Sequence, residues 1–388
     1  MKIKTFIKLG DICDISAGQG APQGDSNYCD NGTPFVKAGN LIELLQGKNE
    51  TDIQKVSEDV AKKHKLKKYT AGSILFAKSG MSCMKGYVYQ LKNDSYVVSH
   101  LAIVKPIKDS SDYIEYCLRH IKPNSLVKDE AYPSISLQDI SNLKIPLPSL
   151  EEQIKISKQL YICTQIINKH KKQLERYDTL IKSRFIEMFG DPVSNPMGWE
   201  VKKLGNICTK ISDGVHAKPE YTSTGKPFIS VVNINSGKLL FDDCKYVSEE
   251  AYEKMIKSTH PEKGDVLYTK VGATYGIPAL VDTDKDFCLY VSVALLKPKS
   301  EIVNSQFLTI SMAQPYIKNQ ADKRIKGIGV PDLHLNQIRE FDILLPPLEL
   351  QNQFKDFVQQ IDKSKFAVQK ALEKTETLYK SLMQRYFA

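Results

Sequence analysis

One sequence pattern occurs twice in this chain and decides how it folds. Residues 148–189 read PSLEEQIKISKQLYICTQIINKHKKQLERYDTLIKSRFIEMF, and residues 346–387 read PPLELQNQFKDFVQQIDKSKFAVQKALEKTETLYKSLMQRYF. The two stretches open alike, and their separation of 198 residues stays constant from the first residue to the last. A segment that tolerates no insertion or deletion is typical of one continuous helix. Each stretch is therefore predicted to be a single helix, about 40 residues and roughly 60 Å long.

The spacing of apolar residues indicates that each helix needs a partner. In the first stretch they recur every three or four positions, and no glycine or proline lies between Ser149 and Phe189. His170 and Lys365 interrupt the pattern, either because their ends reach outwards to solvent or because they fix an antiparallel register. The residues predicted to form the seam between the helices are Ile156, Leu160, Ile167, Leu174, Ile181, Phe354, Val358, Ile361, Val368, Leu372 and Tyr379.

The sequence before each helix repeats as well. KLGDIC at residues 8–13 returns as KLGNIC at 203–208, and GSILFAK at 72–78 returns as GDVLYTK at 264–270. The spacing of such matches varies between 192 and 198 residues, as expected for loops that differ in length on a shared scaffold. The chain is therefore two copies of one unit, each a domain followed by a helix.

The domains read as sheet-rich, because short β-type runs such as residues 101–104, 228–232 and 293–296 alternate with glycine, proline and asparagine. Brief helical stretches are expected at residues 57–68 and 249–257. The break GDPVSNPM at 190–197 starts the second domain at the far end of the first helix. The second helix must then run back for the two seams to meet.

The predicted fold class is α+β. It comprises two homologous sheet-rich domains separated by two long helices, which form an antiparallel coiled coil with pseudo-two-fold symmetry. The predicted boundaries are 1–147 for the first domain, 148–190 for the first helix, 191–345 for the second domain and 346–388 for the second helix.

Composition is that of a globular protein, with 388 residues, 41% hydrophobic and 26% charged. No apolar run approaches the roughly 20 residues that cross a bilayer, so no membrane partner is expected. The N-terminus lacks the apolar core of a signal peptide. The eight cysteines show no zinc-site spacing, so we expect no metal, reduced thiols and a cytoplasmic location.

Catalytic signatures are missing from the sequence. There is no phosphate-binding GxxxxGK[ST] loop, no GxGxxG, no GxSxG, no HExxH and no NPPY-type motif of amino-methyltransferases. The chain is therefore expected to have no active site of its own and to act by binding.

The charge map is compatible with a polyanionic partner without requiring one. The net charge of +9 divides into +4 for residues 1–148, +3 for 149–190, zero for 191–346 and +2 for 347–388. The densest basic cluster lies at residues 62–68, where a solvated helix face explains it as well as phosphate binding does.

Polar residues recur at equivalent loops of the two copies. Lys78 and Lys270 follow strand-like runs and precede glycine-containing loops, which suits phosphate contact, although a lysine that merely ends a strand explains both equally well. Asn40 and Asn233 also match. Asparagine can pair with an adenine edge, but turn formation is the commoner use.

Two further loops, GQGAPQ at residues 18–23 and DGVHAKP at 213–219, occupy matching positions but differ in sequence. Homologous domains with different loops would read different sequences. His216 in the second loop is either an ordinary loop histidine or a contact.

With these features together, the chain resembles the specificity subunit of Type I restriction-modification systems. The resemblance rests on KLGDIC at residues 8–13, on the DGxH loop at 213–216, on GDVLYTK at 264–270, and on IPLPSLEEQ at 145–153 with LLPPLELQ at 344–351 at the heads of the two helices. It covers essentially the whole chain. The first copy departs from it at Gly18-Gln19-Gly20, where the DGxH loop is expected.

The resemblance implies a non-catalytic subunit with two target recognition domains, each reading one half of a split, asymmetric site in double-stranded DNA. The helices would set the gap between the halves and dock two methyltransferase subunits, which hold S-adenosylmethionine. Restriction subunits would join with ATP and magnesium. The chain itself would bind no cofactor.

The residues that we expect to contact DNA are Gln19, Lys37, Asn40, Lys78, Ser79, Lys85, His216, Lys218, Asn233, Lys270, Tyr275 and Lys326. Two other functions remain open from the sequence. One is a stand-alone, two-headed DNA-binding protein of structural or regulatory role, and the other is a cryptic enzyme such as a fused methyltransferase.

Overall fold

The computed structural model describes residues 5–325 and 329–388. They fold as two units. Unit 1 comprises Met1–Lys172 with Gln369–Ala388, and unit 2 comprises Gln173–Val368. Each unit combines a globular part with a portion of both long helices.

The globular part of unit 1 alternates short strands with short helices. Its strands are β1 (Phe6–Lys8), β2 (Cys13–Ala17), β3 (Thr33–Val36), β4 (Lys55–Val56), β5 (Ile74–Ala77), β6 (Val88–Gln90), β7 (Tyr96–Val97), β8 (Leu101–Pro106) and β9 (Lys144–Pro146). Its helices are α1 (Leu9–Ile12), α2 (Asn40–Leu45), α3 (Glu58–Lys63), α4 (Ser111–Ile121) and α5 (Leu137–Ser141), and α6 (Leu150–Phe189) begins here.

The strands of unit 1 form one larger and two smaller sheets. The larger sheet has the antiparallel order β2-β8-β5-β6, and a second has the order β4-β3-β7, in which β3 and β7 run parallel. The third pairs β1 with β9. Every residue of β5 is buried, which explains why its sequence is a continuous apolar run rather than an alternating one.

Unit 2 repeats the strands of unit 1 and most of its short helices, but it has a 3-10 turn at Val231–Asn233 where unit 1 has α2. Its strands are β10 (Glu200–Lys203), β11 (Cys208–Asp213), β12 (Lys226–Ile229), β13 (Lys245–Val247), β14 (Val266–Thr269), β15 (Pro278–Leu280), β16 (Cys288–Leu289), β17 (Val293–Pro298) and β18 (Asp342–Leu345). Its helices are α7 (Leu204–Ile207), α8 (Glu249–Ile256), α9 (Ser305–Met312), α10 (Pro315–Arg324) and α11 (Leu335–Arg339), followed by α12 (Leu348–Phe387).

The sheets of unit 2 have the same topology as those of unit 1. The larger sheet has the order β11-β17-β14-β15, and β13-β12-β16 and β10-β18 match the two smaller ones. The register agrees too, since Ile74 pairs with Val104 in unit 1 and Val266 pairs with Leu296 in unit 2. The predicted α+β fold with two homologous sheet-rich domains is confirmed.

The two sheets differ by one extra residue in β11. The pairing of β11 with β17 shifts between Cys208 and Lys210, so Thr209 forms a bulge that β2 lacks. Position 13 therefore matches 208, but position 17 matches 213 and position 18 matches 214.

Two helices expected from the sequence are shorter than predicted, and one predicted strand is too long. The stretch at 57–68 is helical only in α3, because His64 caps that helix and Lys65 adopts a left-handed φ of 51°. The helix predicted at 249–257 ends at Ile256. The strand expected at 228–232 ends at Ile229, where residues 231–233 form a 3-10 turn.

The long helices α6 and α12 pack against each other with antiparallel polarity in each unit. In unit 1, near the end of α12, the Tyr386 hydroxyl donates to Gln159 Oε1, near the start of α6, at 2.7 Å. In unit 2 the rings of Phe185 and Phe354 lie 5.6 Å apart, near the end of α6 and the start of α12. The predicted antiparallel pairing is confirmed.

The predicted seam residues all lie on the shielded face of these helices, because each of the eleven is buried or half-buried. Lys365 is not merely turned to solvent, since its ammonium group lies 2.5 Å from Asp178 Oδ1 on the opposite helix. The Nδ1 atom of His170 is buried without a hydrogen-bond partner in the described part of the chain.

A buried glutamine explains the repeated sequence at the head of each helix. Gln153 Oε1 accepts from the Ser110 amide at 3.0 Å, and its Nε2 donates to the Pro148 carbonyl at 3.0 Å. Gln351 makes the equivalent bonds to the Asn304 amide (2.8 Å) and the Pro346 carbonyl (2.8 Å). This amide pins the first turn of the helix to the loop before α4 or α9.

Candidate nucleic-acid interface

Three loops of unit 1 meet at the short segment between β7 and β8, residues 98–100, which we call the crossing segment of unit 1. The amide of its first residue donates to the Val36 carbonyl (3.0 Å), and that of its second donates to the Gln19 carbonyl (2.8 Å). The Lys78 amide donates to the carbonyl of its third residue (2.9 Å). The loops that follow β2, β3 and β5 therefore lie side by side.

Unit 2 builds the same junction at its own crossing segment, residues 290–292. The amide of the first residue donates to the Ile229 carbonyl (2.9 Å), and that of the second donates to the Val215 carbonyl (3.0 Å). The Lys270 amide donates to the carbonyl of the third (3.0 Å). Most of the residues singled out from the sequence lie in these loops, so each unit brings its own set together at its own junction.

A glycine is required where the loop after β2 or β11 passes the crossing segment. A Cβ atom on Gly18 would lie 2.2 Å from the Val98 carbonyl oxygen, and one on Gly214 would lie 2.0 Å from the Leu289 carbonyl oxygen. Both distances are too short for any side chain. The glycine of the DGxH loop is therefore present in both units, at Gly18 and Gly214.

The loop alignment inferred from the sequence was wrong by one residue. It placed Gly18 opposite Asp213, but the bulge at Thr209 places Ala17 there. The departure of unit 1 from the DGxH pattern is therefore the loss of the aspartate and the histidine, while the glycine is kept. The amide of Gln19 and that of Val215 follow it in matching backbone positions.

Lys270 is buried and already paired with carboxylates. Its ammonium group lies 3.4 Å from Asp213 Oδ2 and 3.4 Å from Asp332 Oδ1, and its side chain is only 5% exposed. Asp213 ends β11, and Asp332 forms a β-bridge with Val271. The geometry is that of an internal tie between two loops, which does not offer this lysine to a phosphate.

Lys78, the matching lysine of unit 1, is half-buried. Within the described residues its ammonium group forms no ion pair and no hydrogen bond. The neighbouring Ser79 hydroxyl lies 2.8 Å from His100 Nδ1, so the serine and the crossing segment share a hydrogen bond. Lys78 and Ser79 are both partly exposed at the loop junction of unit 1.

Asn40 and Asn233 form turns. The Asn40 side-chain oxygen accepts from the Lys37 amide (2.9 Å), and that of Asn233 accepts from the Ser230 amide (3.0 Å). Asn233 is also buried. Bidentate pairing with adenine requires both the oxygen and the NH2 group of the side chain, so the turn-forming interpretation fits the structure better.

Gln19 holds the basic cluster in place. Its Nε2 donates to the Lys65 carbonyl at 2.9 Å, and its Oε1 accepts from the Lys67 amide. Both ends of this side chain are therefore engaged with backbone. Of the cluster at 62–68, only Lys62 and Lys63 lie on α3, and the other lysines lie in a loop tied to the end of β2.

Lys37 lies in the loop after β3, with its ammonium group 4.4 Å from the centre of the Tyr28 ring and 2.6 Å from Gln54 Oε1. Lys85 is exposed in the turn after β5. In unit 2, the His216 side chain is 77% exposed and its Nε2 lies 3.6 Å from Asp213 Oδ1.

The Tyr221 ring of unit 2 carries two lysines, and it was not among the residues expected from the sequence. Lys218 lies 5.8 Å and Lys245 lies 4.3 Å from its centre. An exposed lysine held against an aromatic ring is well suited to a polyanionic ligand. A lysine three residues before a tyrosine was the only local signal for this arrangement.

Tyr275 belongs to a small polar network with Asp322 and Lys318. Its hydroxyl donates to Asp322 Oδ1, and the Lys318 ammonium group lies 3.9 Å from its ring centre. Hydrogen bonds from Lys318 and Tyr275 lower the pKa of Asp322. Lys326, the remaining predicted contact, lies outside the described residues.

Within residues 5–325 and 329–388 there is no group of three or more His, Cys, Asp or Glu side chains placed to hold a metal ion. In the same ranges, no helix combines the length and apolar character needed to cross a membrane.

Comparison with known proteins agrees with the duplicated architecture. The Type I restriction enzyme MjaVIII specificity subunit of Methanocaldococcus jannaschii is 25% identical over 334 residues, which covers 81% of this chain and 75% of the relative. The MjaIX specificity subunit of the same organism is 23% identical over 376 residues, covering 91% of this chain and 85% of the relative.

A crystal structure of the Type I restriction-modification S subunit of M. genitalium has a similar fold. Its TM-score is 0.64 at 14% identity, and the match covers 100% of this chain and 97% of that one. The family described as the Type I restriction modification DNA specificity domain matches residues 1–176 and again residues 196–376. These two matches leave little of the chain unaccounted for and fall on the two repeats, so the chain belongs to the Type I restriction-modification DNA specificity family.

Proposed function

We propose that this chain is the sequence-specificity subunit of a Type I restriction-modification complex. In this role each globular part reads one half of a bipartite, asymmetric site in double-stranded DNA. The observation that carries the proposal is the shared junction at the two crossing segments. The backbone bonds are the same in both units, but the loop side chains differ, as expected for two readers of unlike half-sites.

Docking of two methyltransferase subunits belongs to this proposal. Support comes from the part of α6 in unit 1, which exposes large apolar side chains at Leu150, Ile154, Tyr161, Ile162 and Ile166, each between 39% and 58% exposed. Large apolar residues clustered on the outside of one helix mark a surface for another protein. Most of the remaining exposed positions of this helix are polar.

The chemistry in this proposal resides in the partners. The methyltransferase subunits would hold S-adenosylmethionine and methylate the DNA, and restriction subunits would supply ATP hydrolysis and cleavage with magnesium. This chain would contribute binding, orientation and spacing, and would bind no cofactor itself. All eight of its cysteines are free thiols, which suits the reducing cytoplasm.

Co-expression with a Type I methyltransferase gene from the same genome tests the proposal. We expect the two proteins to purify together, and the methylome of the host to show one bipartite motif that disappears when this chain is deleted. If the chain purifies alone and binds DNA without any new methylation, the stand-alone DNA-binding function is correct instead. Binding of S-adenosylmethionine to the isolated chain would favour the cryptic enzyme.

A further inference from the structure

Lys78 and Lys270 occupy the same backbone position in two different electrostatic surroundings. The Lys78 carbonyl accepts from the Ile135 amide at 2.7 Å, and the Lys270 carbonyl accepts from the Leu333 amide at 2.9 Å. Their own amides donate to the third residue of each crossing segment. The two lysines therefore leave the junction from equivalent points.

The residues around the two ammonium groups differ in charge. In unit 2 the ammonium group lies between the carboxylates of Asp213 and Asp332. The β-bridges and strand pairing place Ala17 and Ser134 at the corresponding positions of unit 1. The lysine is thus shared by both units, whereas the two acids occur in unit 2 alone.

This difference decides which lysine can bind a phosphate. To reach DNA, Lys270 would have to leave two carboxylates, and those carboxylates would then repel the phosphates. Lys78 gives up no ion pair, because none holds its ammonium group within the described residues. The distribution of net charge agrees with this assignment, since residues 1–148 have a net charge of +4 and residues 191–346 have a net charge of zero.

We propose that Lys78 is a phosphate contact of unit 1, whereas Lys270 is a positioning residue of unit 2. Lys270 joins the loop at 213–219 to the loop at 331–334, so that it sets the shape of the reading loops without contacting DNA. This inference rests on the proposed function, because it assumes that both units bind the duplex.

The salt dependence of binding tests the first half of the proposal. The probe is a fluorescent 40-base-pair duplex of mixed sequence, titrated with the full-length chain at several concentrations of KCl. Each phosphate contact contributes about 0.9 to the slope of log K against log salt. We expect Lys78→Met to reduce the magnitude of this negative slope by about 0.9. The double variant Ala17→Asp with Ser134→Asp should reduce it as much, because it recreates the pairing of unit 2.

The matched change in unit 2 is Asp213→Ala combined with Asp332→Ser, which frees Lys270. We expect the magnitude of the slope to increase, whereas Lys270→Met combined with these two changes should leave it at the wild-type value. The proposal is overturned if this triple variant loses about 0.9, or if Lys78→Met changes nothing. If the wild-type chain binds no duplex at all, the proposed function itself has failed.

The methylome of a host that carries the complex tests the second half. We expect Lys270→Met to relax one half of the methylated motif while the other half and the gap stay unchanged. Restoring charge balance with Asp213→Ala and Asp332→Ser should recover protein abundance but not the lost base preference. An unaltered motif, or equal loss of both halves, contradicts a positioning role for Lys270, provided that wild type shows a bipartite motif.

Discussion

At the scale of single residues, most polar side chains predicted to contact DNA also have a partner within the fold. Asn40 binds a backbone group of its own loop, Gln19 binds backbone groups of the loop that follows α3, and Lys270 lies between two aspartates. Lys78, Lys85 and Lys218 remain free of ion pairs within the described residues. Side chains that shape the loops and side chains free to contact a ligand thus lie next to one another at the same edge.

Gly18 should be irreplaceable for steric reasons. In Gly18→Ala the new methyl group would lie 2.2 Å from the Val98 carbonyl oxygen, so backbone must move, and we expect a loss of about 1–3 kcal/mol of stability. That corresponds to a lower thermal midpoint of unit 1 by several degrees, measurable by scanning fluorimetry.

Gly39→Ala in the same unit is the matched control, because no atom lies within 4 Å of the added Cβ and the backbone there is α-helical. Its midpoint should stay at or slightly above that of wild type. Equal losses in the two variants would show that the close approach at the crossing segment does not restrict this position.

At the scale of elements, the long helices are held by their first turns and by interhelical pairs. Gln351 is fully buried, and its amide is hydrogen-bonded at one end to Asn304 at the start of α9 and at the other to Pro346 just before α12. Aromatic packing follows directly, since the rings of Phe354, Phe185, Phe189 and Phe307 lie 4.9 to 5.8 Å from one another where they are in contact. A repeated Pro-x-Leu-Glu-x-Gln heading is thus a docking device for the helix.

Replacing Gln351 by alanine should destabilise unit 2. The change leaves the Asn304 amide and the Pro346 carbonyl without partners, which costs about 1–3 kcal/mol for each buried group left unpaired. Thermal unfolding of the full chain is the measurement. Gln353→Ala, an exposed position two residues away on the same helix, is the control and should unfold as wild type does.

The Lys365–Asp178 pair predicts a charge-swap result. Lys365→Asp places two acids together across the helices and should lower the thermal midpoint, and the added Asp178→Lys should restore much of the loss. The effect is expected to stay below about 1 kcal/mol, because the Asp178 side chain is 59% exposed. A double variant no better than the single one would contradict a role for this pair in register.

At the scale of the whole molecule, each long helix takes part in both units, because the division of the chain falls at Lys172 in α6 and at Val368 in α12. The globular parts also differ in net charge, +4 against zero, although their sheets share topology and register. The duplicated scaffold is thus independent of the surface chemistry that each copy carries.

Shortening both helices should change the gap in the recognised site. Removing residues 171–174 and 371–374 deletes about one turn, or roughly 6 Å, from each helix. With a rise of about 3.4 Å per base pair, we expect the methylated motif to lose about two base pairs from its gap and to keep both halves.

Alanine replacement of the five polar residues in these ranges keeps the helix lengths and both seam leucines, and should leave the gap unchanged; these residues are Lys171, Lys172, Gln173, Glu373 and Lys374. A gap that is the same in the deletion variant and in wild type would show that the helices do not set the spacing.

The sequence by itself determined the duplication, because the two copies can be aligned with each other directly. It also determined the two 40-residue helices and their shielded faces, because a 3,4 pattern of apolar residues depends only on positions that are close together in the chain. It could not separate Lys78 from Lys270, since both follow a buried strand and precede a glycine. Only the tertiary structure decided that the Lys270 ammonium group is paired with two carboxylates. Its partners Asp213 and Asp332 are distant in the chain. Asp213 meets it because β11 and β14 both pair with β17 while a bulge at Thr209 shifts the register by one residue, and Asp332 meets it through the β-bridge with Val271.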